Sequence, residues 1–194
     1  MTTEEGIEDG KIKHLSVFAI APMPLLMFLG KCIGDTVPTD LYQSHRNIAG
    51  TNQTWSWQEE QETQTSFIVT PIRVVENSEK AAIILALSDT IGSDKYANVV
   101  DETFSLYEIT IETPSPHFLK NRNQLEHFSY EYRKLLNQIQ AAHGHNCQVF
   151  ILPAVPISIA VECGRVLLPT KDPEIFACEY YSVQGGFRKV LKIN

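Results

Sequence analysis

Apolar and polar positions along the chain change period several times, and the changes divide it into elements. Leu15 to Ala21 is a short apolar run without alternation, the pattern of a buried strand. Pro24 to Leu29 follows and reads as a helix with proline in its first turn, closing near Gly30 or Gly34. Residues 35–61 are mostly polar. Phe67 to Val75 and Ala81 to Leu87 read as strands, the second buried on both faces. Thr103 to Thr113 alternates Phe104, Leu106, Ile109 and Ile111 with more polar neighbours and reads as a third. Leu125, Phe128, Tyr132, Leu135, Leu136 and Ile139 recur at helical spacing, so residues 119–142 are expected to form a long amphipathic helix. Cys147 to Leu152 reads as a buried strand and Pro156 to Leu168 as a helix. Ile175 to Tyr181 and Phe187 to Ile193, joined around Gln184-Gly185-Gly186, read as a hairpin. Strands alternating with helices predict an α/β fold with a mainly parallel sheet.

One segment echoes another. Val17 to Leu25 aligns without gaps on Val149 to Ile157, with Val, Phe and a helix-opening proline (Pro24, Pro156) in common. Twice, a buried strand runs into a proline-marked turn that opens a helix.

Composition narrows the class. With 43% apolar and 20% charged residues in 194, the chain can build a core and is not of the disordered type. The net charge of −7 argues against gripping a nucleic-acid backbone, which needs a basic face. Glu4, Glu5, Glu8 and Asp9 with Glu59, Glu60 and Glu62 account for that whole excess, so the body is neutral. Residues 1–10 read as a solvated leader, expected to follow something in a longer chain. Cys32, Cys147, Cys163 and Cys178 are too sparse for a disulfide framework, which fits reduced thiols in the cytoplasm. The longest apolar stretch, Leu15 to Leu29, contains Pro22 and Pro24 and is too short to span a bilayer.

Candidate chemistry gathers at turns. The carboxyl edge of an open α/β sheet is where such folds bind ligands, and helix N-termini there offer free N–H groups to anions. Pro22-Met23-Pro24 and Pro153-Ala154-Val155-Pro156 form two such turns, or merely start their helices. Neither is glycine-rich, so neither a Walker loop nor a dinucleotide fingerprint is present. Trp55 and Trp57, two apart in a polar stretch, would face one way on an extended segment. They suit base stacking, or else fold back into the core. His45 and Arg46 suit a phosphate or a base edge, or a solvated face. Ser88, Asp89, Thr90 and Thr113 end strands, where they read ribose or base edges or act as caps. His143, His145 and Cys147 alternate as three metal ligands would, but with no evident fourth they read as a helix-to-strand loop. No catalytic set stands out.

His14 to Leu26, Asp40-Leu41-Tyr42-Gln43-Ser44-His45-Arg46, Trp55-Ser56-Trp57 and Val149 to Arg165 together resemble the SAVED domain, over about residues 14–180. That resemblance implies two fused CARF-type, Rossmann-like halves forming one pseudo-symmetric domain, roughly 14–100 and 101–194, behind a linker remnant at 1–13. It implies the sensor half of a bacterial antiphage (CBASS) effector, which binds a cyclic di- or trinucleotide and self-associates to activate a fused toxic domain. A compact sensor of this size resembles those that follow HNH endonucleases. The chain itself is then a sensor and not an enzyme, cytoplasmic, without a cofactor, with any divalent metal in the absent nuclease. It needs no membrane and no direct contact with DNA. The resemblance implies that Pro22, Met23, Pro24, Gln43, His45, Arg46, Trp55, Trp57, Ser88, Asp89, Thr90, Thr113, Pro153, Ala154 and Pro156 face the ligand. The alternative is a CARF-like enzyme that cleaves its own cyclic ligand, and a further reading is a plain α/β assembly module.

Overall fold

The computed structural model describes residues 11–46, 53–58 and 65–194. The acidic leader and the run Glu59, Glu60, Glu62 lie outside the described residues. In chain order the elements are β1 (Leu15–Val17), α1 (Met23–Ile33), β2 (Thr39–Leu41), β3 (Ser44–Arg46), β4 (Gln53–Trp55), β5 (Phe67–Arg73), β6 (Lys80–Ala86), α2 (Ser93–Tyr96), β7 (Ser105–Ile111), α3 (Arg122–His143), β8 (Gln148–Ala154), α4 (Ile157–Arg165), β9 (Ile175–Tyr181) and β10 (Gly186–Lys192).

Six strands form one sheet in the order β10-β9-β8-β6-β7-β5. The four inner strands run parallel to one another, while β5 and β10 pair antiparallel at the two edges. The sheet is therefore mixed, which corrects the expectation of a mainly parallel one. The cause at the β10 edge is local. The turn Ser182–Gln184, closed by Gly185 at φ 66°, is too short for a crossover, so the chain must reverse. At the other edge β5 carries Pro71, which has no N–H to give and fits an edge strand. β5 and β6, from before residue 100, pair directly with β7 and β8 from after it.

Alternation along β6 sends Ala81, Ile83 and Leu85 into one core and Ala82, Ile84 and Ala86 into another. The first core lies under α1, α3 and α4. The second lies under the segment 91–104 and is built around Phe104, Phe150 and Phe176. Burial on both faces explains why β6 shows no polar alternation. Leu15 to Ala21 departs from its expectation: only Leu15–Val17 is strand, paired with β2, and Phe18 is 53% exposed.

Helix α3 begins at a reciprocal capping box. The Asn121 side chain accepts from the Gln124 N–H, and the Gln124 side chain accepts from the Asn121 N–H. Helix α1 opens one turn-position earlier than its sequence suggests. Pro22 is the N-cap and Pro24 the second helical residue, so Pro22, not Pro24, matches the N-cap Pro156 of α4. In that register Gly30 stands opposite Gly164, each eight residues on from its proline. The two helices cross there backbone to backbone. A Cβ on Gly30 would lie 1.8 Å from the Val161 carbonyl oxygen, and one on Gly164 would lie 1.8 Å from that of Met27.

Candidate functional site

The carboxyl ends of β6, β7, β8 and β9 open on one edge of the sheet, and both proline-capped helices start there. Each N-terminus is met by an internal side chain. At α4, Gln43 Oε1 accepts from the Ser158 N–H (3.3 Å) and the Ser158 hydroxyl (2.8 Å), while its amide donates to the Ser44 carbonyl (3.1 Å). At α1 the Glu179 carboxylate lies near the Met23 N–H, which lowers its pKa against the upward push of burial. Gln43, Pro24, Pro153 and Pro156 are buried, so they shape the edge from beneath. Pro22 is exposed at the surface of the turn.

Hydrogen bonds tie the strand ends together. Ser88 and Leu87 both donate their N–H to the Ala154 carbonyl, at 2.7 and 3.0 Å, and Ser115 donates to the Leu87 carbonyl at 2.9 Å. Ser88 is half-buried, whereas Asp89, Thr90 and Thr113 are exposed. Asp89 Oδ1 accepts from the Thr90 N–H at 2.8 Å, a local turn bond, and its other oxygen lies 3.9 Å from Lys95 Nζ.

The β3–β4 pair follows directly on Gln43, with Ser44 opposite Trp55, His45 opposite Thr54 and Arg46 opposite Gln53. It is anchored to the β7–α3 connection by the Gln58 N–H on the Lys120 carbonyl (2.8 Å). His45 Nε2 is buried without a hydrogen-bond partner. Burial, reinforced by the nearby His117 and Lys120, holds its imidazole below the ordinary value of 6.5. A group so placed gains from an anion.

The two tryptophans part company. Trp57 donates its indole N–H to the Leu41 carbonyl (3.0 Å) and packs against the helix-side core. Trp55 meets Phe18 edge-on, with centroids 5.6 Å apart, and Phe18 stacks on Tyr42 at 4.4 Å and 9°. The Arg122 guanidinium lies 6.0 Å over the Tyr42 ring. Phe18 keeps half of its surface exposed beside Tyr42 and Trp55.

Phe18, Tyr42, His117, Lys120 and Glu179 were not singled out from the sequence. Phe18 is hidden in an apolar run, and only its neighbours in space expose it. Glu179 does carry a signal: it is a lone acid in the apolar strand Ile175–Tyr181.

The histidine loop makes other contacts. His143 shares a hydrogen bond with the Tyr107 hydroxyl (2.9 Å), and His145 Nδ1–H donates to the Lys171 carbonyl (3.1 Å). Burial pushes the Cys147 thiol up to about 11. Among the described residues no three His, Cys, Asp or Glu converge as a metal site, and no helix is long and apolar enough to cross a membrane.

A sequence model of the SMODS-associated and fused to various effectors sensor domain, SAVED, matches residues 2–193. No curated protein matches the chain by sequence. Among solved structures, the Acinetobacter baumannii Cap4 SAVED/CARF-domain containing receptor with the cyclic trinucleotide 3'3'3'-cAAA aligns at TM-score 0.72 and 14% identity. That alignment covers 98% of this chain and 41% of that one. The same receptor with 2'3'3'-cAAA aligns at TM-score 0.68 and 16% identity, again over 98% and 41%. A third Cap4 structure gives 0.65 and 14%, over 98% and 39%. The chain thus spans about two fifths of the receptor whose fold it shares. A family match over nearly its whole length, on that fold, means that this chain belongs to the SAVED family.

Proposed function

We propose that the chain senses a cyclic di- or trinucleotide at the carboxyl edge of its sheet. The observation that carries this reading is the exposed Phe18–Tyr42 stack with Trp55 beside it, next to a hairpin whose half-buried imidazole lies near His117 and Lys120. Aromatic faces hold bases, and the His45 surroundings suit a phosphate. The family supports it, and so do the Cap4 structures, whose receptor holds cyclic trinucleotides. The reciprocal crossing of α1 and α4 supports a pseudo-symmetric pair of half-sites, one at each proline-capped helix.

Binding then favours self-association and activates a fused effector, an HNH endonuclease in our reading, in a cytoplasmic antiphage response. Ile68, Ile72 and Val74, exposed at or beside the β5 edge, offer apolar surface for such association. The chain binds its ligand without cleaving it, so chromatography after incubation should return the ring intact.

Calorimetry with a panel of cyclic di- and trinucleotides should find one ligand with a dissociation constant below about 1 μM. Trp55→Ala should weaken it by about 1–3 kcal/mol, the loss of one stacked base. Trp57→Ala should instead lower the melting temperature, because that indole is an internal strut. No binding across the full panel ends the proposal.

The reading also fixes a pH dependence. The free-state pKa of His45 lies below 6.5, and a phosphate beside it raises that value. Between the two values the complex holds more proton than the free protein. Affinity should therefore rise as pH falls from about 8 through the bound-state pKa, levelling off below the free-state one. His45→Gln should flatten the profile. An unchanged slope in that variant would assign the protonation elsewhere.

A further inference from the structure

The two helix caps at the sheet edge differ in a way that capping does not explain. Gln43 bonds through both ends of its amide: Oε1 holds α4 through Ser158, and Nε2 donates to Ser44. A neutral side chain is thus enough to cap a proline-started helix in this fold. At α1 a carboxylate, that of Glu179, stands near the Met23 N–H instead. Glu179 Oε2 is buried and has no hydrogen-bond partner. An unmet buried acceptor is uncommon enough in a folded protein to need a reason.

The reason lies beside it. Glu179 fronts a cavity of about 470 Å³ walled by Pro22, Pro24 and Leu25 on one side and by Tyr180, Tyr181 and Val190 on the other. Apart from Glu179 the named walls are proline, aliphatic and tyrosine side chains, which suit a flat, weakly polar body. Burial raises the Glu179 pKa, while the Met23 N–H pulls it down. A half-buried carboxylate on the wall of such a cavity is met best by an N–H donor that enters it.

We infer that this cavity takes a nucleobase carrying an exocyclic amino group, with the Glu179 carboxylate, turned toward the cavity, as the acceptor for that group. The inference rests on the cyclic-oligonucleotide reading and extends it to which base is selected at the α1 half-site. Tyr180 and Tyr181 line the seat, and Glu179 reads its occupant. A base with a carbonyl in place of the amino group would set oxygen against oxygen, and one with hydrogen there would leave the acid unmet.

The test compares two ligands on two proteins by calorimetry: 3'3'3'-cyclic triadenylate, and the same ring built from purine without the 6-amino group. The wild-type chain should favour the amino ring by on the order of tenfold. Glu179→Gln keeps the shape of the side chain and weakens its acceptor, so it should melt close to wild type yet lose that preference. Equal affinity of the wild type for both rings overturns the inference while leaving the sensor reading in place. So does a Glu179→Gln variant that keeps the preference. If neither ring nor any other member of the panel binds, the sensor reading falls and this one with it. Should the variant fail to fold, the two-ring comparison on the wild type decides alone. A Glu179→Gln variant that changes only self-association would make the cavity a contact between copies, and overturn the base assignment.

Discussion

Gly164→Ala should lower the stability of the domain by about 3 kcal/mol, near the top of the usual range for overpacking. The added methyl group would sit 1.8 Å from the Met27 carbonyl oxygen and 2.8 Å from the Lys31 nitrogen. Both are backbone atoms of α1, so no side chain can swing away. Relief requires the helices to separate, and that opens the core held by Leu26, Met27, Ile159 and Ala160. In a domain of this size the melting temperature should fall by roughly 6–12 °C. Gly30→Ala strikes the same crossing from the other side, 1.8 Å from the Val161 carbonyl oxygen. The double variant should cost less than the sum of the two, since one separation relieves both clashes. A thermal melt of Gly164→Ala within a degree of wild type would show that the crossing is not a close contact in solution. Because both proline-capped N-termini ride on these helices, the variants should also weaken ligand binding.

Asp172→Ala should cost about 3–5 kcal/mol, the range for breaking a buried ion pair by removing one partner. The Asp172 side chain is fully buried after α4, and Arg133 reaches it from α3 with both terminal nitrogens, one contact at 2.6 Å. Asp172 also accepts from the Leu168 N–H (2.8 Å), and Arg133 donates to the Val166 carbonyl (3.2 Å). The pair is the polar clasp between α3 and the chain leaving α4. Removing the acid leaves a half-buried guanidinium and an unmet backbone N–H. Replacing both partners, as in Arg133→Met with Asp172→Leu, should recover much of the loss, because well-packed apolar groups often substitute for a buried pair at little cost. Urea midpoints for the three variants measure this. An unchanged midpoint for Asp172→Ala would mean that the clasp contributes nothing net.

Periodicity located the elements well where one environment acts along a whole segment. Helix α3 was legible because Leu125, Phe128, Tyr132, Leu135, Leu136 and Ile139 all answer to one core. Strand β6 was legible because both its faces are covered. The first apolar run was not. Phe18 and Ile20 look like strand interior in one dimension, yet they are 53% and 65% exposed, since β1 ends at Val17 and no further strand among the described residues covers them. The candidate site was legible in outline only. The proline turns, His45 and Trp55 stood out by residue type and position. Trp57 was indistinguishable from Trp55 until the Leu41 carbonyl took its indole N–H.

What the sequence determined by itself is what neighbours along the chain can enforce: helix and strand periods, proline-marked helix starts, and a neutral body with acidic segments set apart. Tertiary structure alone decided the rest. It made the sheet mixed, moved the repeat to Pro22 and Pro156, and set Gly30 against Gly164. It also brought His117 and Lys120 to His45, and left Glu179 with an unmet oxygen beside a cavity. Each of these depends on atoms far apart in the chain, where distance in space, and not spacing in sequence, sets the energy.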